Sequence, residues 1–314
     1  MTKTHPRYAY FEGNIVPIEQ AKISVMTHAF NYGTGVFGGL RGYWNAEVEQ
    51  LYVFRPLDHM KRLLQSAQLL RMDIPHTPQS LTEVVQDLLR AEGYVQNCYI
   101  RPVVYKSEAA IGVRLHDLSA DVTAFSLPMG AYLKMDGIHA HISAWRRVDD
   151  NMIPARGKVT GAYANSSLIK TDAVLSGYDE AIVLNEDGHL SEASAANLFM
   201  VRGGTVITPP ITANVLEGIV RRSVMQLIQD EMGLPVEERD IDRTEIYLAD
   251  EAFLCGTGVQ IAGMTKIDHR PLGDGALGPV TKQITALFMD VVHGRHERYS
   301  DWVLPVYEAE AIGD

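Results

Sequence analysis

Lys158 stands in the segment Asn151-Met-Ile-Pro-Ala-Arg-Gly-Lys158-Val-Thr-Gly-Ala-Tyr163. A proline and two glycines bracket it, and small residues and an apparent helix through Lys170 follow. A loop of this kind holds a functional group on a rigid scaffold; taken alone, a surface lysine fits the same residues. In Ser191-Glu192-Ala-Ser-Ala-Ala-Asn197-Leu-Phe one carboxylate lies among small residues directly before a buried strand. An acid in that setting needs a partner, although a turn-stabilising glutamate is the plainer alternative. In Pro209-Pro-Ile-Thr-Ala-Asn-Val-Leu216-Glu-Gly218-Ile219-Val220-Arg221 an irregular loop enters a helix through glycine. Free backbone N–H groups at such a start favour an anion, typically phosphate, and an ordinary capped helix is the alternative. Leu254-Cys-Gly256-Thr257-Gly258-Val259 is a Gly-Thr-Gly turn after an apolar strand, which offers N–H groups to a phosphate or carboxylate.

Other patterns are weaker. Gly33-Thr-Gly35-Val-Phe-Gly38 matches the dinucleotide fingerprint GxGxxG. The residues after it, Gly39-Leu-Arg-Gly-Tyr-Trp44, read as a turn and a strand, whereas the fingerprint needs a helix whose N-terminus holds pyrophosphate. His139 and His141 alternate on a strand without metal-ligand spacing. No nucleophile-elbow pattern points to a Ser/His/Asp triad.

The elements that must position these groups follow from periodicity. Phe11-Glu-Gly-Asn14 followed by Ile15-Val16 reads as an opening hairpin. Gln50–Phe54 reads as a strand, and Pro56 fits the first turn of the helix that follows. Leu57, Met60, Leu63, Leu64, Ala67 and Leu70 recur at helical spacing there. Pro75 and Pro78 close that segment, Ser80 and Glu83 form a capping-box pattern for a second helix, and Gly93 ends it. Residues 98–105 and 121–127 are β-branched and aromatic, as strands are. Pro128-Met-Gly130 reads as the connection to a second domain. Beyond it come strands at 138–145, 180–184, 197–201 and 205–208, with hairpin turns at Asn185-Glu-Asp-Gly188 and Gly203-Gly204. A helix begins near Gly218 and stops at Gly233, a strand covers 251–254, and Pro279 opens a last helix to about Val292. Strand runs and helix runs are segregated, so the class is α+β. The expected domains are a small α+β domain at 1–127, a connecting loop at 128–133 and a large cofactor-binding domain at 134–314.

The 314 residues, 46% hydrophobic and 21% charged, are enough to build real cores. A net charge of −11 speaks against a polynucleotide partner. Cys98 and Cys255 sit in apolar, strand-like runs and read as buried, reduced thiols rather than a disulfide framework. Neither a signal peptide nor an apolar run of about 18 residues is present, and the expected location is the cytoplasm.

Together the four segments resemble the fold-type IV pyridoxal-phosphate enzymes, and most closely the branched-chain amino-acid aminotransferases. The resemblance runs from about residue 8 to 295. It includes His28-Ala-Phe-Asn-Tyr32-Gly-Thr-Gly-Val-Phe37, Val53-Phe-Arg55-Pro, Tyr99-Ile-Arg101-Pro, Gly130-Ala-Tyr132-Leu, Lys158 with Tyr163, Leu190-Ser-Glu192, Leu216-Glu-Gly-Ile219 and Gly256-Thr257. It implies that Lys158 carries pyridoxal 5′-phosphate as a Schiff base and moves the proton as general base and acid. It implies that Glu192 keeps the ring nitrogen protonated and that Tyr163 hydrogen-bonds the ring oxygen. Arg55 then grips the phosphate with the backbone N–H groups of Ile219 and Val220 and with Thr257, and Leu216 also binds the cofactor. Tyr99, Arg101, Thr257, Gly258 and Val259 receive the α-carboxylate region, and Phe37, Tyr32, Met129, Tyr132 and Tyr163 line the side-chain pocket. The implied reaction passes the amino group of a branched-chain L-amino acid to 2-oxoglutarate by a ping-pong scheme. The loop at 109–114 is implied to cross to a partner's active site, with Ile111 and Val113 acting in trans, which makes the enzyme a homodimer. Three positions depart from the family pattern: Gly38 replaces a usual Glu, Val220 a common Thr, and Met129 a Trp of some members. They leave open an (R)-selective primary-amine transaminase on the same scaffold. A D-amino-acid transaminase or aminodeoxychorismate lyase matches less densely. A non-catalytic protein keeping the fold, and an NAD-dependent oxidoreductase built on GxGxxG, are the rivals from other classes.

Overall fold

The computed structural model describes residues 5–130, 133 and 136–308. The chain divides into two compact units, one of Met1–Gly130 with Met289–Asp314 and one of Ala131–Phe288.

The first unit opens with β1 (Tyr8–Phe11) and β2 (Asn14–Pro17). They form the expected hairpin, turning through Glu12 and Gly13 at positive φ. A short helix α1 (His28–Tyr32) precedes β3 (Gly35–Phe37), β4 (Leu40–Asn45) and β5 (Gln50–Phe54). Gly33 ends α1 in the left-handed region and a strand follows, so the GxGxxG segment lacks the helix that would hold pyrophosphate. Helices α2 (Pro56–Leu69) and α3 (Pro78–Glu92) and strands β6 (Cys98–Lys106) and β7 (Ala120–Pro128) complete the run. Helix α3 starts earlier than the Ser80–Glu83 pattern predicts. Thr77 is the N-cap: its hydroxyl accepts the Ser80 N–H, and the Ser80 hydroxyl accepts the Thr77 N–H. Serine replaces the expected acid in the reciprocal bond. Pro78 opens the helix rather than closing the previous one, because its missing N–H costs nothing in a first turn.

The second unit holds β8 (Ile138–Arg146), α4 (Tyr163–Leu175), β9 (Glu180–Leu184), β10 (Leu190–Ala193), β11 (Asn197–Arg202), β12 (Thr205–Thr208), α5 (Ile219–Met232) and β13 (Val236–Glu238). After it come β14 (Glu251–Gly256), β15 (Gln260–Ile267), β16 (Arg270–Pro271) and α6 (Pro279–Val292). Its nine-stranded sheet has the order β10-β9-β8-β15-β14-β11-β12-β13, with β16 beside β15. Pairing is parallel between β8 and β9, β8 and β15, and β12 and β13. Strand β9 is buried throughout. Ile182 and Leu184 join the main core, while Ala181 and Val183 pack under Ile169 and Ala173 of α4. A strand buried on both faces reads as a continuous apolar run, as this one does.

Strand β17 (Val303–Pro305) pairs antiparallel with β5 and closes the eight-stranded sheet β17-β5-β4-β6-β7-β1-β2, in which β3 also pairs β6. The chain past residue 288 therefore groups with the first unit, whereas the sequence reading gave all of 134–314 to the second. The reason is non-local: three residues complete an edge some 250 positions earlier (Val303 opposite Phe54), and no local pattern encodes that. Cys98 and Cys255 are free and buried, and burial pushes both thiols up to about 12.

Candidate active site

The loop between β8 and α4 is held by its own turns. Ile153 N–H donates to Asp149 O, Ala155 N–H to the Asp150 carboxylate at 2.8 Å, and Gly157 N–H to Pro154 O. It delivers Lys158, half-buried, five residues before Tyr163, the first residue of α4. The Lys158 amine donates to the Tyr163 hydroxyl oxygen at 2.6 Å.

Glu192 lies where β10 slips register against β9 between Leu190 and Ala193. Such an irregularity re-aims a side chain. Its carboxylate is buried, at 4% exposure. Oε1 meets the Arg147 guanidinium at 2.9 Å. Oε2 accepts the Asn197 amide at 2.8 Å and the Leu216 N–H at 3.3 Å. Burial raises its pKa; Arg147 and then Lys158 oppose that most strongly. The expected partner exists, and it is an arginine one position past β8 that the sequence reading did not single out.

Asn197 also donates to Leu216 O at 3.0 Å, tying β11 to the loop before α5. Gly218 is the N-cap of α5 and supplies no side-chain cap. A Cβ at Gly218 would sit 2.0 Å from Asn197 Oδ1, so glycine is required there for close approach. The side chains of Ile219 and Val220 are buried, leaving their backbone N–H groups at the open positive end of the helix. The Gly256-Thr257-Gly258-Val259 segment turns between β14 and β15, with Gly256 opposite Gln260 in a left-handed conformation. Val259 belongs to the core cluster, so only its backbone can serve a ligand.

The remaining sequence-predicted residues, Tyr132 apart, belong to the first unit. Arg55 is the N-cap of α2 at φ 43°, ψ 49°, a left-handed conformation that is costly for arginine. Its guanidinium lies 3.7 Å from the Trp302 ring centroid and pairs with Asp58 at 3.2 Å. Arg101 lies 4.2 Å from the Phe37 ring centroid, and its Nε donates to the Tyr99 hydroxyl at 3.0 Å. Tyr32 OH accepts the Gly112 N–H at 3.0 Å. The departure at Gly38 has a local counterpart, since a Cβ there would lie 2.8 Å from Pro102 Cγ. Met129 O accepts from Arg41 at 3.0 Å. Tyr132 lies outside the described residues.

Residues 35–267 match the family model for amino-transferase class IV. The chain belongs to the class IV aminotransferases. This aminotransferase is 44% identical to a probable branched-chain-amino-acid aminotransferase of Aquifex aeolicus, across 96% of this chain and 97% of that one. It is similar to a crystal structure of a branched-chain aminotransferase from Thermoproteus uzoniensis with norvaline, at 42% identity and TM-score 0.93 over 96% of this chain and 100% of that one. It is also similar to a crystal structure of the branched-chain amino acid aminotransferase from Thermobaculum terrenum in its PLP-bound holo form, at 39% identity and TM-score 0.92 over 96% of this chain and 99% of that one. Within the second unit the donor set of the aminotransferase fits a pyridoxal phosphate: an amine beside a phenol, a buried carboxylate, and a helix start open to an anion. Sequence reasoning missed Arg147, Asn197 as a ligand of Glu192, and Trp302 under Arg55. Asn197 lay inside a recognised motif, whereas Arg147 and Trp302 carried no local signal.

Proposed function

We propose that this aminotransferase transfers the amino group of a branched-chain L-amino acid to 2-oxoglutarate in two half-reactions, with pyridoxal 5′-phosphate attached to Lys158. The observation that carries the reading is the Lys158–Tyr163 pair at 2.6 Å together with a buried, ion-paired Glu192 in the same unit. When bound, the cofactor supplies an electron sink for the charge left at the substrate carbon. Lys158 Nζ would take the proton from substrate Cα and pass it to the cofactor carbon C4′, and would move one the opposite way in the second half-reaction. Tyr163 OH supplies a hydrogen bond to the ring oxygen and positions that amine. Glu192 holds the proton on the ring nitrogen. The N–H groups of Ile219 and Val220, with Thr257, bind the phosphate through the helix dipole and direct hydrogen bonds. Leu216 contributes through its backbone, since its N–H already bonds Glu192.

For Arg55 on the phosphate, and for Tyr32, Phe37, Tyr99, Met129 and Tyr132 around the substrate, the reading rests on the family resemblance. Gly258 and Val259 face the α-carboxylate region on the same grounds. The choice of amino acid over simple amine rests on Arg101, a cation held between Phe37 and Tyr99, which suits a carboxylate. The protein acts as a homodimer in the cytoplasm, with Ile111 and Val113 of the 109–114 loop reaching the partner. Those two side chains are 74% and 82% exposed.

The test is a panel of single half-reactions with L-Leu, L-Ile, L-Val, L-Glu, D-Ala and (R)-1-phenylethylamine, read as loss of the cofactor's visible absorbance. The branched-chain amino acids and L-Glu are expected to react and the last two to fail. Fast reaction with (R)-1-phenylethylamine alone would give the amine-transaminase reading instead. Lys158→Ala is expected to lower turnover by at least about a thousandfold with the fold retained by circular dichroism. Substantial residual activity would remove Lys158 from the mechanism.

A further inference from the structure

Arg147 is more than a counter-ion that happens to lie near. Its Nη2 reaches Glu192 Oε1 at 2.9 Å, and its Nε donates to Asn214 O at 3.0 Å. Asn214 stands at φ 55°, a conformation asparagine tolerates better than most residues. Its own side chain is anchored on three sides. Nδ2 donates to Asp149 Oδ2 and to Asn185 Oδ1, each at 3.2 Å, and Oδ1 accepts the Asp150 N–H at 3.2 Å. The guanidinium is thus fixed at Nε by a bracket built outside the carboxylate it serves, and at Nη2 by that carboxylate.

The groups acting on Glu192 can be enumerated. Asn197 and Leu216 supply neutral donors to Oε2. Arg147, Lys158 and Arg221 supply positive charge, and Arg221 is itself engaged by Thr208, Pro209 and Glu238. Cys255 is also close, and its thiol is neutral because burial pushes it up to about 12. An ionised carboxylate accepts at about four lone-pair sites. Among the described residues two on Oε2 and one on Oε1 are used, which leaves one on Oε1 for an incoming N–H.

We propose that Arg147, held by Asn214, is a positioning residue that keeps Glu192 ionised before the cofactor arrives, so that the carboxylate accepts the ring N–H without first having to lose a proton. The proposal rests on the reading that Glu192 faces that nitrogen. In the wild type, carboxylate plus protonated ring nitrogen gives the N–H···carboxylate pair with no proton exchanged at this site. Without the guanidinium, burial leaves Glu192 as a neutral acid, which must release one proton to solvent before the same pair forms.

The experiment is calorimetry of pyridoxal 5′-phosphate binding to the apoenzyme in two buffers of different ionisation heat and without a primary amine. Attachment to Lys158 is common to every variant and cancels in the comparison. Arg147→Met is expected to take up about one proton fewer per site than the wild type, and Arg147→Lys to match the wild type. Equal uptake by Arg147→Met and wild type would overturn the proposal. Glu192→Gln separates the two levels of failure. If it retains the wild-type proton count, Glu192 does not face the ring nitrogen and the functional reading fails as well. Should Arg147→Met not fold, infrared difference spectra of wild-type and Glu192→Gln apoenzyme decide the point. An ionised carboxylate band for Glu192 near neutral pH supports the proposal, and a protonated C=O band sinks it.

Discussion

Gly218, Asn197 and Glu192 form one dependency at the residue scale. The Asn197 amide donates both to Glu192 Oε2 and to Leu216 O, and its Oδ1 occupies the space a side chain at 218 would need. The backbone at Gly218 is ordinary, at φ −69°, so the glycine serves packing and not a left-handed turn. Gly218→Ala is therefore expected to force Asn197 away, lowering stability by about 1–3 kcal/mol as an overpacked site does and weakening cofactor retention. Denaturant midpoints and equilibrium dialysis of the cofactor measure the two effects. An unchanged midpoint with unchanged retention would mean that the loop yields freely. The carboxylate was visible in the sequence because an acid among small residues is out of place. Its partner was not, because Arg147 lies forty-five positions away and reaches Glu192 only once β8 and β10 are folded around β9.

At the scale of elements, strands and helix stops followed the periodicity closely. Gly93 and Gly233 end α3 and α5 in left-handed conformations, and Pro279 opens α6. Elements without an apolar period were missed: α1 is five residues, and β13 and β16 have mostly exposed side chains. The histidines of β8 also acquire a partner set that spacing hides. His139 and His141 flank the Tyr178 ring, at 4.8 and 4.5 Å between centroids. His269, at the β15–β16 turn, donates its backbone N–H to His139 Nε2 at 3.2 Å. That bond requires an unprotonated Nε2. Burial first, and the neighbouring His269 second, hold His139 below the ordinary imidazole value of 6.5, and burial lowers His141 likewise. With folded values below unfolded ones, the contribution to stability is complete above 6.5 and is lost as pH falls through that value toward the folded pKa. Urea midpoints are expected to decline on acidification through this window. His139→Gln is expected to flatten the decline, and an identical slope in the variant would exclude His139 as its source.

For the whole molecule, the apolar side chains left in solvent by the first unit are the telling feature. Ile23, Val25, Met26, Phe30, Ile111 and Val113 are all at least half exposed. The 107–114 loop is bound to α1 and its approach by the Thr27–Ala109 bridge, by His28 N–H on Glu108 O, and by His28 Nε2 and Tyr32 OH on the Gly112 peptide. Apolar patches of this kind mark association surfaces, in keeping with the proposed dimer. Light scattering is expected to give twice the chain mass, and Val113→Asp to shift the protein toward monomer with loss of activity. A wild-type monomer with full activity would end that reading.

Local patterning determined most of the strands and the helix ends, and it singled out Lys158, Glu192 and the glycine-led turns at Gly218 and Gly256 as candidates, because each is written in consecutive residues whose period or size reports burial. Tertiary structure alone decided that the C-terminal strand completes the first sheet, that Arg147 rather than a nearer residue neutralises Glu192, and that Asn197 fills the space over Gly218. Those outcomes depend on which distant backbones come within hydrogen-bonding reach, a property of the closed sheets and not of any stretch of chain.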